Sequence, residues 1–317
     1  MSTPKNLEGT RMLVTGAAGF IGSHLSRELV KRGAEVFLID KPGISTSRIK
    51  GILDKVSLHY VDVTDFGSLR NSISEIKPQK IFHLAAYVDV TRDWNIVDKI
   101  IDANIKGTLN LLRSLDGVNY DCFVNTGTGE EYGDNPAPFR ENQVPNPVSP
   151  YSASKVSTTM FCQMLHRTMS LPIVTVRPFL TYGPGQESQM LVPSLIKSLL
   201  KDKSFKMTKG EQIREFNYID DVVQGFILAG TTAEAIGEII NLGSEVEYRI
   251  KDVVRMIASL MGSPIKIEIG ALPYRPGEIM HFYCSNEKAR KILGWRLNVP
   301  LEVGLKRTID WYKNEFD

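Results

Sequence analysis

Residues 12–25 read MLVTGAAGFIGSHL. An apolar run, Met12 to Val14, leads into Gly16, Gly19 and Gly22, and a periodic helical pattern follows. The spacing explains why three side chains are dispensed with. The first glycine permits a tight turn, the second lets a pyrophosphate approach the backbone, and the third lets the helix pack closely on the strand. The unpaired N–H groups of the helix start then face a diphosphate. Glycine-rich turns occur in many unrelated loops, so the strand before and the helix after give this one its meaning. The stretch reads as a dinucleotide-binding strand–turn–helix unit.

Working outward, strand-like and helix-like pieces alternate. After the helix GSHLSRELVKRG come a second strand, EVFLID, and a third, LHYVDVTD. The helix FGSLRNSISEIK, closed by Pro78, precedes a fourth strand, KIFHLAA. A longer helix over 95–116 leads to a fifth strand, YDCFVNTG; a helix from Tyr151 to Met169 leads to a sixth, IVTVRPF. This rhythm predicts an α/β fold, a Rossmann-type doubly wound parallel sheet with helices on both faces. After Pro184 the pattern becomes mixed. Helices are expected over MLVPSLIKSLL, VVQGFILAGTT, IKDVVRMIASLMG, SNEKARKILGW and PLEVGLKRTIDWYKNEF, with short strands between them. EIINLG reads as a strand able to rejoin the main sheet, and IKIEIG as a short alternating strand. The expected division is a dinucleotide-binding domain over 1–184, with 214–245 contributing elements back to it. Residues 185–317 then form mainly a smaller mixed α/β substrate lobe.

The bulk numbers narrow the function classes. The 317 residues hold 38 Lys and Arg against 36 Asp and Glu, a net charge of +2 that gives no case for nucleic acid or anionic lipid as a partner. Three widely spaced cysteines, Cys122, Cys162 and Cys284, argue against a disulfide framework, and no Cys/His spacing suggests a metal site. No apolar run approaches the ~20 residues that span a bilayer. The N-terminus lacks an apolar signal core, so the expectation is a cytoplasmic protein.

Asp40 ends the second strand, 18 residues beyond Gly22. A carboxylate there accepts the hydroxyls of an adenosine ribose and repels a 2′-phosphate, which favours NAD over NADP; Lys41 weakens that preference slightly. Asp40 also reads as a solvated strand end. Asp62 reads equally as a contact to the adenine edge and as a turn-former beside Thr64. In SPYSASK, Tyr151 and Lys155 stand four apart, on one face of a helix. A free phenol, with a pKa near ~10, is a poor base at neutral pH. A neighbouring ammonium is expected to stabilise the phenolate and lower that pKa. The pair suits removal of a proton from an alcohol as hydride leaves the same carbon, and the lysine can also hold the nicotinamide ribose. His83 and His166 carry no motif role; His83 reads as a satisfied core histidine.

With TGAAGFIGSHL, DVTD, HLAA, TGTGEEYG, SPYSASK, RPFLTYGPG, REFNYIDDV and RPGE in this order, the chain resembles the extended short-chain dehydrogenase/reductase family. It is most similar to the nucleotide-sugar epimerase/dehydratase branch. The resemblance implies that Thr128 hydrogen-bonds the sugar hydroxyl alongside Tyr151. It implies that Gly16, Gly19, Phe20, Ile21, Asp40, Asp62, Val63, Ala85, Ala86, Tyr151, Lys155 and Pro178 line the NAD site, which the pattern extends to Gly22. Arg214 and Arg275 correspond to two arginines that grip the diphosphate of the sugar nucleotide, a ligand suited to two guanidinium forks. Ion pairing with Glu215 or Glu278 is the alternative use of those arginines. Leu191, Val192 and Pro193 match a segment entering the nucleotide pocket, and Asn104 a buried asparagine that steadies the active-site backbone. Relatives pair as homodimers through the helices near 95–116 and 151–169.

The resemblance leaves several reactions open. Glu130 matches the base of the family's 4,6-dehydratases, yet Gly129 stands where their usual acid would be. Leu180 replaces a frequent asparagine and Thr208 a frequent glycine. Glu131 reads as structural if the segment is extended. The leading expectation is epimerisation at C4 of a nucleoside-diphosphate sugar through a transient 4-keto sugar. The alternatives are a 4,6-dehydratase using Glu130, a reductase of a 4-keto-6-deoxy sugar nucleotide and, remotely, a non-catalytic dinucleotide-binding scaffold.

Overall fold

The computed structural model describes residues 7–263, 267–275 and 277–316. Six strands, β1 (Arg11–Thr15), β2 (Glu35–Asp40), β3 (Val56–Tyr60), β4 (Lys80–His83), β5 (Cys122–Thr126) and β6 (Ile173–Pro178), occupy the first part. The short strands β7 (Thr181–Tyr182), β8 (Phe205–Met207), β9 (Ile213–Arg214) and β10 (Asn217–Tyr218) follow. After them come β11 (Ile239–Leu242), β12 (Tyr248–Arg249), β13 (Ile267–Ile269) and β14 (His281–Phe282). Seven strands form one sheet in the order β11-β6-β5-β4-β1-β2-β3, and every pair in it is parallel. The order reverses between β1 and β4, so the crevice above those carboxyl ends is the place where such sheets bind ligands.

Both faces of the sheet are buried, which is why its strands are almost continuously apolar. Met12, Val14, Leu38, Phe82 and Val124 pack on one side with α1 (Phe20–Lys31). Leu13, Ile39, Ile81 and Phe123 pack on the other with α2 (Phe66–Ile76). The long helix expected over 95–116 forms as three joined pieces: α3 (Val97–Ile100), a π-helical turn over Ile101–Lys106, and α4 (Gly107–Ser114). Next comes α5 (Pro150–Met169), capped by Ser149, whose hydroxyl accepts from the Ser152 N–H. The remaining α-helices are α6 (Leu191–Leu200), α7 (Ile219–Thr231), α8 (Ile250–Met261) and α9 (Leu301–Phe316), and SNEKARKILGW forms a π-helical turn over Ala289–Leu293. EIINLG does rejoin the main sheet: β11 pairs with β6. The other short strands make small separate sheets: β10-β7, and β12-β9-β14 and β13-β8, which belong to the lesser C-terminal α/β lobe.

Some local expectations shift. The third strand starts at Val56 and stops at Tyr60, so Asp62 lies beyond it in a turn; KIFHLAA is strand only as far as His83. The residues Ser47–Lys55 form a 3-10 helix that no apolar period announced. Ile265 and Lys266, read as the start of a strand, lie outside the described residues, as does Pro276 of the RPGE motif. Among the described residues no helix is long and apolar enough to cross a membrane.

Glu215 is fully buried and does not pair with Arg214. Its carboxylate accepts the Cys284 N–H at 2.9 Å, the Glu245 N–H at 3.0 Å and the Ser244 hydroxyl at 3.3 Å, tying three loops of the lobe together. Burial outweighs these donors and pushes its pKa from 4.5 up to about 7. Between those values the folded chain keeps a proton that the unfolded chain has released. Stability therefore falls as pH rises through that window and levels off above it. Urea unfolding from pH 5 to 8 should show this slope in the wild type and a flatter one in Glu215→Gln; equal slopes would refute the assignment.

Candidate active site

The glycine turn is fixed by contacts on two sides. Gly16 has φ +68°, and a Cβ there would stand 2.7–2.8 Å from the backbone of Leu84 and Ala85 at the end of β4. A Cβ on Gly22 would overlap the Gly16 carbonyl oxygen, and one on Gly19 would lie 3.1 Å from the same atom. The helix start thus presses directly on the strand end. Its first turn has no acidic residue and no side-chain cap, which leaves its leading N–H groups suited to an anion. Asp40 Oδ2 accepts the Ala18 N–H at 2.9 Å, so the carboxylate braces this turn from the end of β2. Asp62 Oδ1 accepts both the N–H and the hydroxyl of Thr64, at 2.9 and 2.8 Å, the geometry of a turn-former. Val63 follows it, while Ala85 and Ala86 lie just past β4 and Pro178 closes β6. A cradle of backbone, small residues and a strand-end carboxylate fits a dinucleotide.

His83 anchors the same crevice from below. Its Nδ1 lies 2.7 Å from the Thr15 hydroxyl and its Nε2 2.8 Å from that of Thr108. Burial lowers its pKa to about 3, so it stays neutral. Asn104 sits in the π-helical turn and spans two elements. It accepts the Tyr87 N–H at 2.7 Å, donates to the Tyr87 carbonyl at 3.1 Å and donates to the Ser154 hydroxyl at 2.9 Å. The widened turn brings this amide to the loop after β4, where the backbone must be held.

Tyr151 and Lys155 project from the first turns of α5, with 8% and 5% of their surface exposed. The Thr128 hydroxyl faces the Tyr151 phenol and favours its ionised form. Lys155 Nζ donates to the Thr126 carbonyl at 2.8 Å. One expectation fails here: the phenol is raised above its ordinary range, not lowered. Burial is the largest cause, Glu130 and Glu131 add to it, and the Thr128 hydroxyl opposes it only partly. Burial also brings Lys155 down to about 8, with Glu131 holding it up. The desolvation cost of a phenolate in this crevice exceeds what one shared hydroxyl returns.

Gly129–Tyr132 is a 3-10 turn, not an extended segment. Thr128 caps it, its hydroxyl accepting the Glu130 N–H at 3.2 Å. The turn sends Glu130 and Glu131 in different directions. Glu131 is fully buried against Arg177. Glu130 faces the lobe: burial raises its pKa, Arg214 and Arg275 oppose that, and Glu278 reinforces it. Glu278 joins the two arginines, meeting Arg214 Nη2 at 2.8 Å and Arg275 Nε at 3.1 Å. Both guanidiniums therefore converge beside Glu130 although 61 residues separate them in sequence. Leu191 is half-buried at the start of α6, whereas Val192 points into the core with 2% exposure and Pro193 is buried behind it. The side chain of Val192 is spent on packing.

Sequence reading missed two residues at the floor of this site. Phe179 packs its ring under Gly129, where a Cβ would lie 2.8 Å from it. Arg177 is buried on β6 beneath Glu131. A charged residue directly after the apolar run of a parallel strand was the available signal.

The family model described as GDP-mannose 4,6 dehydratase matches residues 13–308. A UDP-glucose 4-epimerase of Mycolicibacterium smegmatis is 33% identical, with 96% of this chain aligned to 99% of its length. The crystal structure of a UDP-glucose 4-epimerase from Thermotoga maritima, with UDP-glucose, matches at 27% identity with a TM-score of 0.90, covering 96% of this chain and 99% of that one. A UDP-glucuronic acid 4-epimerase from Bacillus cereus, solved with UDP-glucuronic acid and NAD, matches at 31% identity with a TM-score of 0.87 and the same coverage. Agreement over this much of the sequence, on a fold with the glycine turn at the sheet's crossing point and the tyrosine–lysine helix beside it, makes the chain an enzyme of the nucleotide-sugar epimerase/dehydratase branch of the extended short-chain dehydrogenase/reductases.

Proposed function

We propose that the chain is an NAD-dependent 4-epimerase of a nucleoside-diphosphate sugar. The observation that carries this choice is the contact between Gly129 and Phe179. The ring stands 2.8 Å from where a Cβ at 129 would lie, so the site is packed around a glycine there and offers no carboxylic acid to assist loss of water. NAD, held by the Gly16–Gly22 turn, Asp40 and the residues past β3, β4 and β6, supplies the hydride acceptor and donor. The chain handles the proton. Thr128 orients the C4 hydroxyl, and Tyr151, acting as the phenolate, takes its proton and becomes a neutral phenol; the Lys155 ammonium one helical turn away supports that anion against the burial that opposes it. Arg214 and Arg275 hold the diphosphate, leaving the sugar free to present either face of its C4 carbonyl. Hydrogen returned to the other face completes the inversion, and Tyr151 gives the proton back.

A dehydratase is the second reading, favoured by a carboxylate, Glu130, that stands beside the Thr128 turn and is raised by burial above its ordinary value. A panel of UDP-glucose, UDP-glucuronate, UDP-N-acetylglucosamine, dTDP-glucose and GDP-mannose separates the two. Unchanged mass with C4 inverted supports epimerisation; loss of water supports dehydration. Glu130→Gln should leave an epimerase within about tenfold of wild type and cost a dehydratase about a hundredfold or more. Inversion lost together with Glu130 would sink the assignment of that carboxylate to a bystander's place.

The same reading assigns 185–317 chiefly to the substrate and returns β11 and α7 to the dinucleotide domain. It places the enzyme in the cytoplasm, in keeping with three free, buried cysteines. It also makes the enzyme a homodimer. Ile101 on the long helix and Met160, Phe161 and Met164 on α5 remain 37–44% exposed, a sizeable apolar surface for a free helix pair. Sedimentation should give twice the mass of one chain, and Phe161→Glu should halve it; a monomeric wild type would refute the dimer.

A further inference from the structure

The ion pair beneath the Thr128 turn has no part in the epimerisation chemistry, yet it is the most deeply buried one among the described residues. Glu131 and Arg177 have side chains 0% and 1% exposed, and Nη2 meets Oε2 at 2.7 Å. Burying two charges is expensive, and an apolar pair of similar volume often serves stability as well or better. A pair kept in spite of that cost invites a reason beyond packing.

Its other contacts supply one. Glu131 Oε1 accepts the Thr128 N–H at 2.9 Å, so the carboxylate holds the residue whose hydroxyl meets the Tyr151 phenol. A side chain on Gly127 would collide with the same oxygen, which keeps the carboxylate against the backbone of the turn. Arg177 holds Glu131 from β6, with its guanidinium 4.6 Å from the centroid of the Tyr132 ring. The Tyr132 hydroxyl is itself tied to Asn241 on β11 at 2.8 Å. Arg177 Nε and Nη1 are buried without a hydrogen-bond partner among the described residues, so the guanidinium depends on Glu131 and that ring.

We propose that Glu131, locked by Arg177, is a positioning residue of the proton-transfer site: it fixes the Thr128 backbone under the Tyr151 phenol and sets its negative charge behind Lys155. This rests on the proton-transfer role of Tyr151 in the proposed function. The electrostatic field is consistent with it. From α5, Tyr151, Lys155 and Cys162 all sense Glu131, which raises each of them. Arg177 faces it from β6, His83 faces Lys155 from β4, and Glu130 faces Tyr151 from the same turn. Removing the charge of Glu131 must therefore lower Tyr151 and Lys155 together. Activity that needs the Lys155 ammonium is lost as pH rises through about 8 in the wild type, and should be lost earlier without Glu131.

The test is the rate–pH profile on whichever panel sugar nucleotide the wild type converts fastest. Glu131→Gln keeps an oxygen for the Thr128 N–H but no charge. Because it strands a buried guanidinium, Glu131→Gln/Arg177→Met is made beside it as the variant expected to stay folded. Both should show kcat reduced about tenfold or more at neutral pH with KM within about twofold, and Glu131→Gln should move the alkaline limb of the profile about one pH unit toward acid, the double variant moving it the same way by less because a cation is lost too. Glu131→Asp, which keeps the charge, should hold that limb near its wild-type position. A folded double variant with wild-type kcat, or a folded Glu131→Gln with an unmoved alkaline limb, overturns the proposal. Tyr151→Phe in the same series separates the two levels. If it is inert while the Glu131 variants behave as wild type, only this inference falls. If it retains turnover, or the wild type converts none of the panel, the proposed function falls and takes this inference with it.

Discussion

Tyr151→Phe should bind NAD as the wild type does and turn over about a thousandfold more slowly or worse. The substitution deletes one oxygen from a side chain that is 8% exposed and leaves its ring packing in place. The ring belongs to the first turn of α5, whose Ser149 cap and Ser152 hydrogen bonds do not involve the phenol. Stability should therefore change little, and the Thr128 hydroxyl keeps the Glu130 N–H. The chemistry has no such reserve. A positioned proton acceptor contributes about 10²–10⁴-fold, and here it must also surrender the proton again in the second half of an inversion. The expected signature is a collapse in kcat with KM nearly unchanged and bound NAD still recovered from the purified protein. Turnover within about tenfold of wild type would remove Tyr151 from the mechanism.

Why this tyrosine was legible in the sequence, and its neighbours were not, follows from the range of the interactions. Tyr151 and Lys155 are joined by helical spacing, and Gly16, Gly19 and Gly22 by one turn, so local geometry displays them in the sequence itself. The parallel sheet was equally visible, because strands covered on both faces become runs of apolar residues. Contacts that close across the fold left little trace. Phe179 reaches Gly129 from just past β6, and although Glu278 stood among the expected partners of Arg214 and Arg275, nothing local showed that this one carboxylate would join both. Arg177 lies below Glu131 only because a 3-10 turn, not an extended segment, follows Thr128. The pKa of Tyr151 was misjudged for a related reason. Sequence shows the lysine four residues on, whereas desolvation depends on everything packed around the phenol.

Gly22→Ala tests the turn from which the fold was first read. A methyl group at this position would meet the Gly16 carbonyl oxygen and come within 3.0 Å of the Ala17 Cα, both of them backbone. Neither is the end of a flexible side chain, so relief requires α1 to move away from β1. That motion opens the turn whose N–H groups face the dinucleotide, and it disturbs Leu25 and Leu29, which α1 buries against the sheet. Overpacking of this kind costs about 3 kcal/mol, and NAD affinity should fall at least about a hundredfold. Gly51→Ala provides the comparison. Gly51 lies in the 3-10 helix Ser47–Lys55, with nothing within 4 Å of the place a methyl group would take and no positive φ. Its substitution should shift stability by less than about 1 kcal/mol and leave NAD binding intact. The two variants add the same methyl group, so any difference between them measures the closeness of backbone to backbone at the sheet's crossing point. Equal NAD affinity in the two, read by titration of the purified proteins, would mean that the close contact at Gly22 is not what shapes the cofactor site.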